Sequence, residues 1–155
     1  MATFRFQGSV CFGVWLLGPA VVDLLRGPNL ALGATVFASH TDPAIDIPPS
    51  RVVDGNRENL GFNTGNQHVP RLEIDLGAVQ AIEQIVIYNR VDCCEDAAIP
   101  LMVEAGTERG RYREVATRQE PFDAWSVDLG TIQARWLRFT VVRTSTFHLA
   151  EIEVY

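Results

Sequence analysis

From Pro28 onward, apolar and polar residues alternate in short runs separated by glycine, proline and asparagine. Arg71-Leu72-Glu73-Ile74-Asp75-Leu76 alternates with period two, which predicts a strand buried on one face and ended by Gly77. Gln80 to Tyr88 predicts another strand, and Leu101–Ala105 with Tyr112–Thr117 a hairpin around Glu108-Arg109-Gly110-Arg111. Trp125–Leu129, closed by Gly130, repeats the Asp-Leu-Gly ending of residues 75–77. Trp136–Val142 is the longest candidate strand, and Glu151–Tyr155 closes the chain. Asn29–Gly33 opens this region, and pairing between its two ends is expected. Ser39–Ser50 reads as a proline-rich loop, Asp54-Gly55-Asn56 as a turn, and residues 57–70 as a Gly- and Asn-rich loop. Many short strands with turn signals, and no long stretch of period 3.6, predict an all-β sandwich.

The 155 residues suffice for one domain with a proper core. A formal charge of −6 argues against nucleic acid or an anionic membrane surface as the main partner. All 13 basic residues are arginine, a side chain suited to planar, bidentate recognition. Residues 1–28 carry an apolar run from Val10 to Leu25, interrupted by Pro19, Asp23 and glycines and too short for a comfortable membrane span. Arg5 ahead of that run is signal-like, but no clean cleavage site follows. Two readings stand, a signal or a segment packed on the domain, so 1–28 is unassigned and 29–155 is the domain.

The chemistry concentrates in Tyr88-Asn89-Arg90-Val91-Asp92-Cys93-Cys94-Glu95-Asp96, a loop expected at one end of a sheet. Arg90 and Asp92 present a forked donor beside an acceptor. Adjacent cysteines, if oxidised, add a small apolar platform. A cation, a carboxylate and an apolar face suit a compact polyol. The plainer reading is a solvated ion pair with two thiols. The third cysteine, Cys11, leaves an odd count: one vicinal bridge plus a thiol, or three thiols. Zinc is excluded because no CxxC pair exists and His40, His68 and His148 are scattered. Asp92, Glu95 and Asp96 are near one another, yet a glycosidase needs carboxylates facing across a bond. His40 and His148 fall in loop-like contexts without a companion nucleophile, so a non-catalytic protein is expected. Trp125, Trp136, Phe139 and Tyr155 are expected in the core or on strand faces.

The order of Asn29–Gly33, Val53-Asp54-Gly55-Asn56, Ile74-Asp75-Leu76-Gly77, Arg90-Val91-Asp92-Cys93-Cys94, Arg135-Trp136-Leu137-Arg138 and Ala150–Val154 resembles the discoidin (coagulation factor 5/8 type C) superfamily. Within it, residues 89–94 resemble the F-type lectins, or fucolectins. The resemblance implies a discoidin-like, jelly-roll β-sandwich of about eight strands that binds fucose or a fucose-like sugar. It implies sugar contacts from Arg90, Asp92 and a Cys93–Cys94 vicinal disulfide. At the spacing where the family has a histidine this chain has Asn63, with His68 nearby, and at the family's second basic position it has Ala97. Loss of a charge-assisted hydrogen bond, about 1.5–3 kcal/mol, would weaken binding roughly tenfold to a hundredfold. The resemblance also implies structural Ca²⁺ held by Asp54, Asn56 and Glu151, with the Arg51 and Ala150 carbonyls, a hard oxygen set.

Glycans are therefore the expected partners, with homo-oligomers or fusion to other modules raising a weak single-site affinity. The alternative is a discoidin-type protein- or lipid-interaction module using Ile45, Ile47, Leu60 and Phe62 on protruding loops, with membrane contact peripheral at most. A cytosolic redox thiol pair is a third reading. An oxidised cysteine pair and calcium would both favour a secreted or extracytoplasmic setting.

Overall fold

The computed structural model describes residues 26–58 and 60–155. Cys11, Trp15 and the apolar run 10–25 lie outside the described residues. Those that are described form eight strands: β1 Thr35–Ala38, β2 Phe62–His68, β3 Arg71–Tyr88, β4 Leu101–Glu108, β5 Arg111–Arg118, β6 Ala124–Val141, β7 Thr144–Leu149 and β8 Glu151–Val154. Five run in the order β1-β3-β6-β4-β5, with β8 added to the C-terminal half of β3. Strands β2 and β7 form a separate antiparallel pair. This is the all-β sandwich that the alternation predicts.

Register explains the core. Leu72 pairs with Phe139 and Ile74 with Leu137 across β3–β6, and Val103 and Ala105 meet the same two residues from β4. All six are buried. Phe62 and Phe147, from β2 and β7, pack into the same cluster and meet edge to face at 4.9 Å. On the opposite face of the large sheet Glu73, Arg138 and Glu104 are neighbours, and Arg138 clamps Glu104 with two bonds of 2.6 and 2.7 Å.

Three sequence expectations change. The strands do not end at Gly77 and Gly130. Both glycines take a left-handed conformation (φ 82° and 65°), each following an aspartate whose side chain accepts the glycine N–H at 2.9 Å. The chain bends there and β3–β6 pairing resumes at Gln80 opposite Ala134, so each Asp-Leu-Gly is a corner inside a strand of 18 residues. Residues 57–70 are not all loop, because Phe62–His68 pairs with Thr144–Leu149 around a bulge. Asn, Thr, Gly and Gln hide this strand from composition. The buried Thr64 hydroxyl holds it by accepting the Phe147 N–H at 3.0 Å and donating to the Gly65 carbonyl. The two ends of the domain meet through hydrogen bonds (Leu30 N–H to the Val154 carbonyl, Val154 N–H to Asn29), while residues 29–33 form a turn.

Of the loop hydrophobes, Phe62 is buried and Ile45, Ile47 and Leu60 are half-buried, so they do not form a protruding apolar tip. Trp136 and Phe139 are buried, and Trp125 packs against the core.

Candidate functional site

Strand β3 ends at Tyr88 beside β8, where the Tyr88 carbonyl accepts the Ala150 N–H at 2.9 Å. The next residue, Asn89, is buried and braces the loop: its side chain donates to the Glu95 carbonyl (3.0 Å) and accepts the Arg90 N–H (2.9 Å). Arg90 then grips Asp92 in a fork, Nε to Oδ1 and Nη2 to Oδ2, both at 2.6 Å. The Arg90 side chain is 19% exposed and that of Asp92 67%. The guanidinium holds the Asp92 carboxyl well below its usual range, at about 2, so the pair is charged at any physiological pH. Cys93 and Cys94 are joined by a disulfide, and Cys94 sits in the left-handed region (φ 63°) before a 3₁₀ turn at Glu95–Ala98.

Arg90, Cys94, Asp96 and Ala97 line a groove of about 390 Å³ beside the start of β7. Arg143, Thr146 and His148 line the same groove. Asp92 instead lines a smaller hollow on the other side of Arg90, with Arg57, Leu60 and Val91. Asn63 and His68 do not line the groove. Asn63 is buried, its side chain accepting the Gly65 N–H at 2.8 Å, and its Cα partner in the ladder is His148. His68 is exposed at the far end of β2, 3.2 Å from the Thr144 hydroxyl.

Two other residues enter instead: His148, expected in a loop-like context but found in a strand, and Arg143. His148 lies in strand β7, is 1% exposed, and among the described residues neither ring nitrogen has a hydrogen-bond partner. Burial, and then the positive field of Arg90, push its pKa down to about 4; the nearby Cys94 carbonyl and Asp92 only partly oppose this. It is a neutral imidazole at physiological pH. Arg143, in the β6–β7 turn, donates to the carbonyls of Ile99 and Asp96, both at 2.5 Å, so its head lies against the turn that carries Ala97. Nothing in the local sequence marks either residue, because both reach the groove only through the β2–β7 pairing.

The expected metal ligands converge in part. Glu151 is fully buried; one oxygen accepts the Gly55 N–H at 3.0 Å and the other has no partner among the described residues. Burial pushes its pKa up to about 8, with the negative fields of Asp54 and Glu153 adding to the effect. Asp54 and Asn56 are exposed, each closing an Asx turn by accepting a backbone N–H two residues on. Arg51 approaches Asp54 at 4.0 Å, and Ala150 is buried. Among the described residues no three Asp, Glu, His or Cys side chains stand together at metal-binding range, so backbone and amide oxygens would have to complete a shell. The donors are nonetheless all oxygen, and the orphaned Glu151 oxygen is what a hard cation would satisfy.

The F5/F8 type C family described as NedA-like, galactose-binding domain matches residues 51–139. No curated protein sequence matches the chain. Among solved structures, a Streptococcus pneumoniae fucose-binding module is 26% identical with a TM-score of 0.72, covering 83% of this chain and 94% of that one. A serum f-lectin (fucolectin) from Morone saxatilis, striped bass, is 20% identical (TM-score 0.75; 83% and 47% covered). A Clostridium perfringens module in complex with GalNAc-β-1,3-galactose is 12% identical (TM-score 0.70; 83% and 99% covered). The last two show a shared fold.

Proposed function

This chain belongs to the NedA-like, galactose-binding domain family of the F5/F8 type C group, and from that membership we infer that it is a non-catalytic carbohydrate-binding module, a lectin for fucose or a closely related sugar. The observation that carries the reading is the meeting of Arg90, Cys94 of the Cys93–Cys94 bridge and His148 at one groove at the end of the sandwich. Arg90 donates to sugar hydroxyls or the ring oxygen, Asp92 fixes the plane of its guanidinium, and the disulfide offers an apolar face to the C–H side of the ring. Binding is reversible, and multivalency by self-association or by joining other modules raises a modest single-site affinity. Similarity to the 26%-identical fucose-binding module supports the sugar class.

Calcium belongs to the same reading. Glu151, Asp54 and Asn56, with the backbone carbonyls of Arg51 and Ala150, are the residues that would hold it. Bound there, the ion would supply positive charge to a buried carboxylate and fix the 54–58 turn. The disulfide and calcium together favour a secreted or extracytoplasmic setting. Among the described residues no helix is long and apolar enough to cross a membrane.

The test is a glycan array probed with the full chain and with Arg90→Ala, each with calcium and with chelator. Fucosylated or galactose-type hits lost in Arg90→Ala support the reading. A blank array from folded protein would replace it with the protein- or lipid-interaction alternative, for which Val91 and Val142 (71% and 51% exposed) provide surface apolar groups.

A further inference from the structure

Arg90 and Arg143 use their guanidinium groups in the same way. In each, Nε and one N–H of Nη2 are taken by fixed acceptors: the Asp92 carboxylate for Arg90, the Ile99 and Asp96 carbonyls for Arg143. A guanidinium has five N–H donors, so each is locked in orientation while both Nη1 donors and one on Nη2 remain available. Both residues line the same groove. Side chains fixed by one edge and open at the other suit recognition, because their conformational entropy is already lost before the ligand arrives.

The surroundings of Arg143 are built rather than accidental. The Ser145 hydroxyl donates to the Ala97 carbonyl at 2.7 Å, tying the start of β7 to the same 3₁₀ turn whose carbonyls hold the guanidinium. The small side chain of Ala97 leaves the groove open at that point. Below lies His148, buried and with both nitrogens unpartnered. A buried polar ring without partners is rare in a folded interior, and here it marks a groove whose polar bonding is incomplete among the described residues.

The geometry points to Arg143 as a second sugar-binding residue, which with Arg90 clamps two neighbouring hydroxyls of a neutral pyranose. This rests on the lectin reading above and deepens it by assigning a residue and a ligand class. The cation comes from the β6–β7 turn, 46 positions after Ala97 in the chain, and its head lies against the turn that carries Ala97. Formal charge selects a neutral ligand over an acidic one. Asp92, which pairs with Arg90 from outside the groove, and Asp96, which lines it, bring the formal charge of the four side chains to zero, so a carboxylate or sulfate gains less than it would from two unmatched arginines.

The test is calorimetric titration of the full chain with L-fucose, D-galactose and D-galacturonate, then with the monodeoxy analogues of whichever neutral sugar binds. Wild type is compared with Arg90→Ala, Arg143→Ala and Arg143→Lys. Arg143→Ala should weaken binding of the neutral sugar about 10- to 100-fold, and Arg143→Lys should recover part of it. One monodeoxy analogue should bind wild type more weakly than the parent sugar yet bind Arg143→Ala as well as the parent does. Such a double-mutant-type cycle reports contact rather than a loosened loop. If Arg90→Ala abolishes binding while Arg143→Ala leaves it unchanged, the Arg143 assignment is overturned and the lectin reading stands. Additive losses from deoxygenation and Arg143→Ala at every hydroxyl also overturn the contact. Tighter binding of galacturonate than galactose overturns the neutral clamp, and no binding of any of these sugars by folded wild type overturns both readings.

Discussion

At the scale of single residues, the groove is organised by three side chains whose protonation or orientation is fixed before any ligand arrives. Arg90 is locked by Asp92, Arg143 by two backbone carbonyls, and His148 by burial. His148 yields a pH prediction with a definite sign. Its folded pKa, about 4, lies below the ordinary 6.5, so the unfolded chain binds the proton first as pH falls. Stability attributable to His148 is therefore intact above about pH 6.5 and is lost progressively down to pH 4, by at most about 3 kcal/mol. Urea unfolding of wild type and His148→Gln at pH 7.5 and 4.5 checks this. The difference between the two proteins should shift toward the variant at the lower pH, and a pH-independent difference would refute it.

At the scale of elements, what was legible in the sequence is what is local along it. Alternation in residues 71–76 and 101–105 revealed strands because one face of each meets the core. The Arg-x-Asp-Cys-Cys run was legible as chemistry because its members are adjacent. Strand β2 was not, since its pairing with β7 rests on Thr64 and backbone bonds rather than on apolar alternation. His148 and Arg143 were hidden for the same reason, as their meeting with Arg90 exists only once β7 has paired. The corners at Gly77 and Gly130 read as strand ends because a turn signal does not reveal whether the ladder resumes beyond it. Their left-handed conformation makes a second prediction. Gly77→Ala and Gly130→Ala should each cost about 1 kcal/mol through backbone strain alone, since nothing lies within 4 Å of the added methyl group. Chemical denaturation measures this, and wild-type stability in both variants would show that the corners are not strained by a side chain.

At the scale of the whole molecule, the two candidate sites share one end of the sandwich. Tyr88 and Glu151 are ladder partners, Arg90 follows two residues after the first, and His148 precedes the second by three. A cation that neutralises Glu151 should therefore stabilise the frame of the groove. Adding calcium should raise the Tm of wild type by several degrees, as expected for a ligand present at 100 times its Kd. Glu151→Gln should abolish the rise, and an equal response in that variant would place the ion elsewhere. Sugar binding at this end of the fold, in turn, depends on Arg90 in the function proposed above. Titrating L-fucose into the calcium-loaded full chain and into Arg90→Ala tests it most directly. Saturable binding with a Kd of about 1 mM or tighter is expected, weakened at least about tenfold in the variant. Undiminished affinity in a folded Arg90→Ala protein would contradict it.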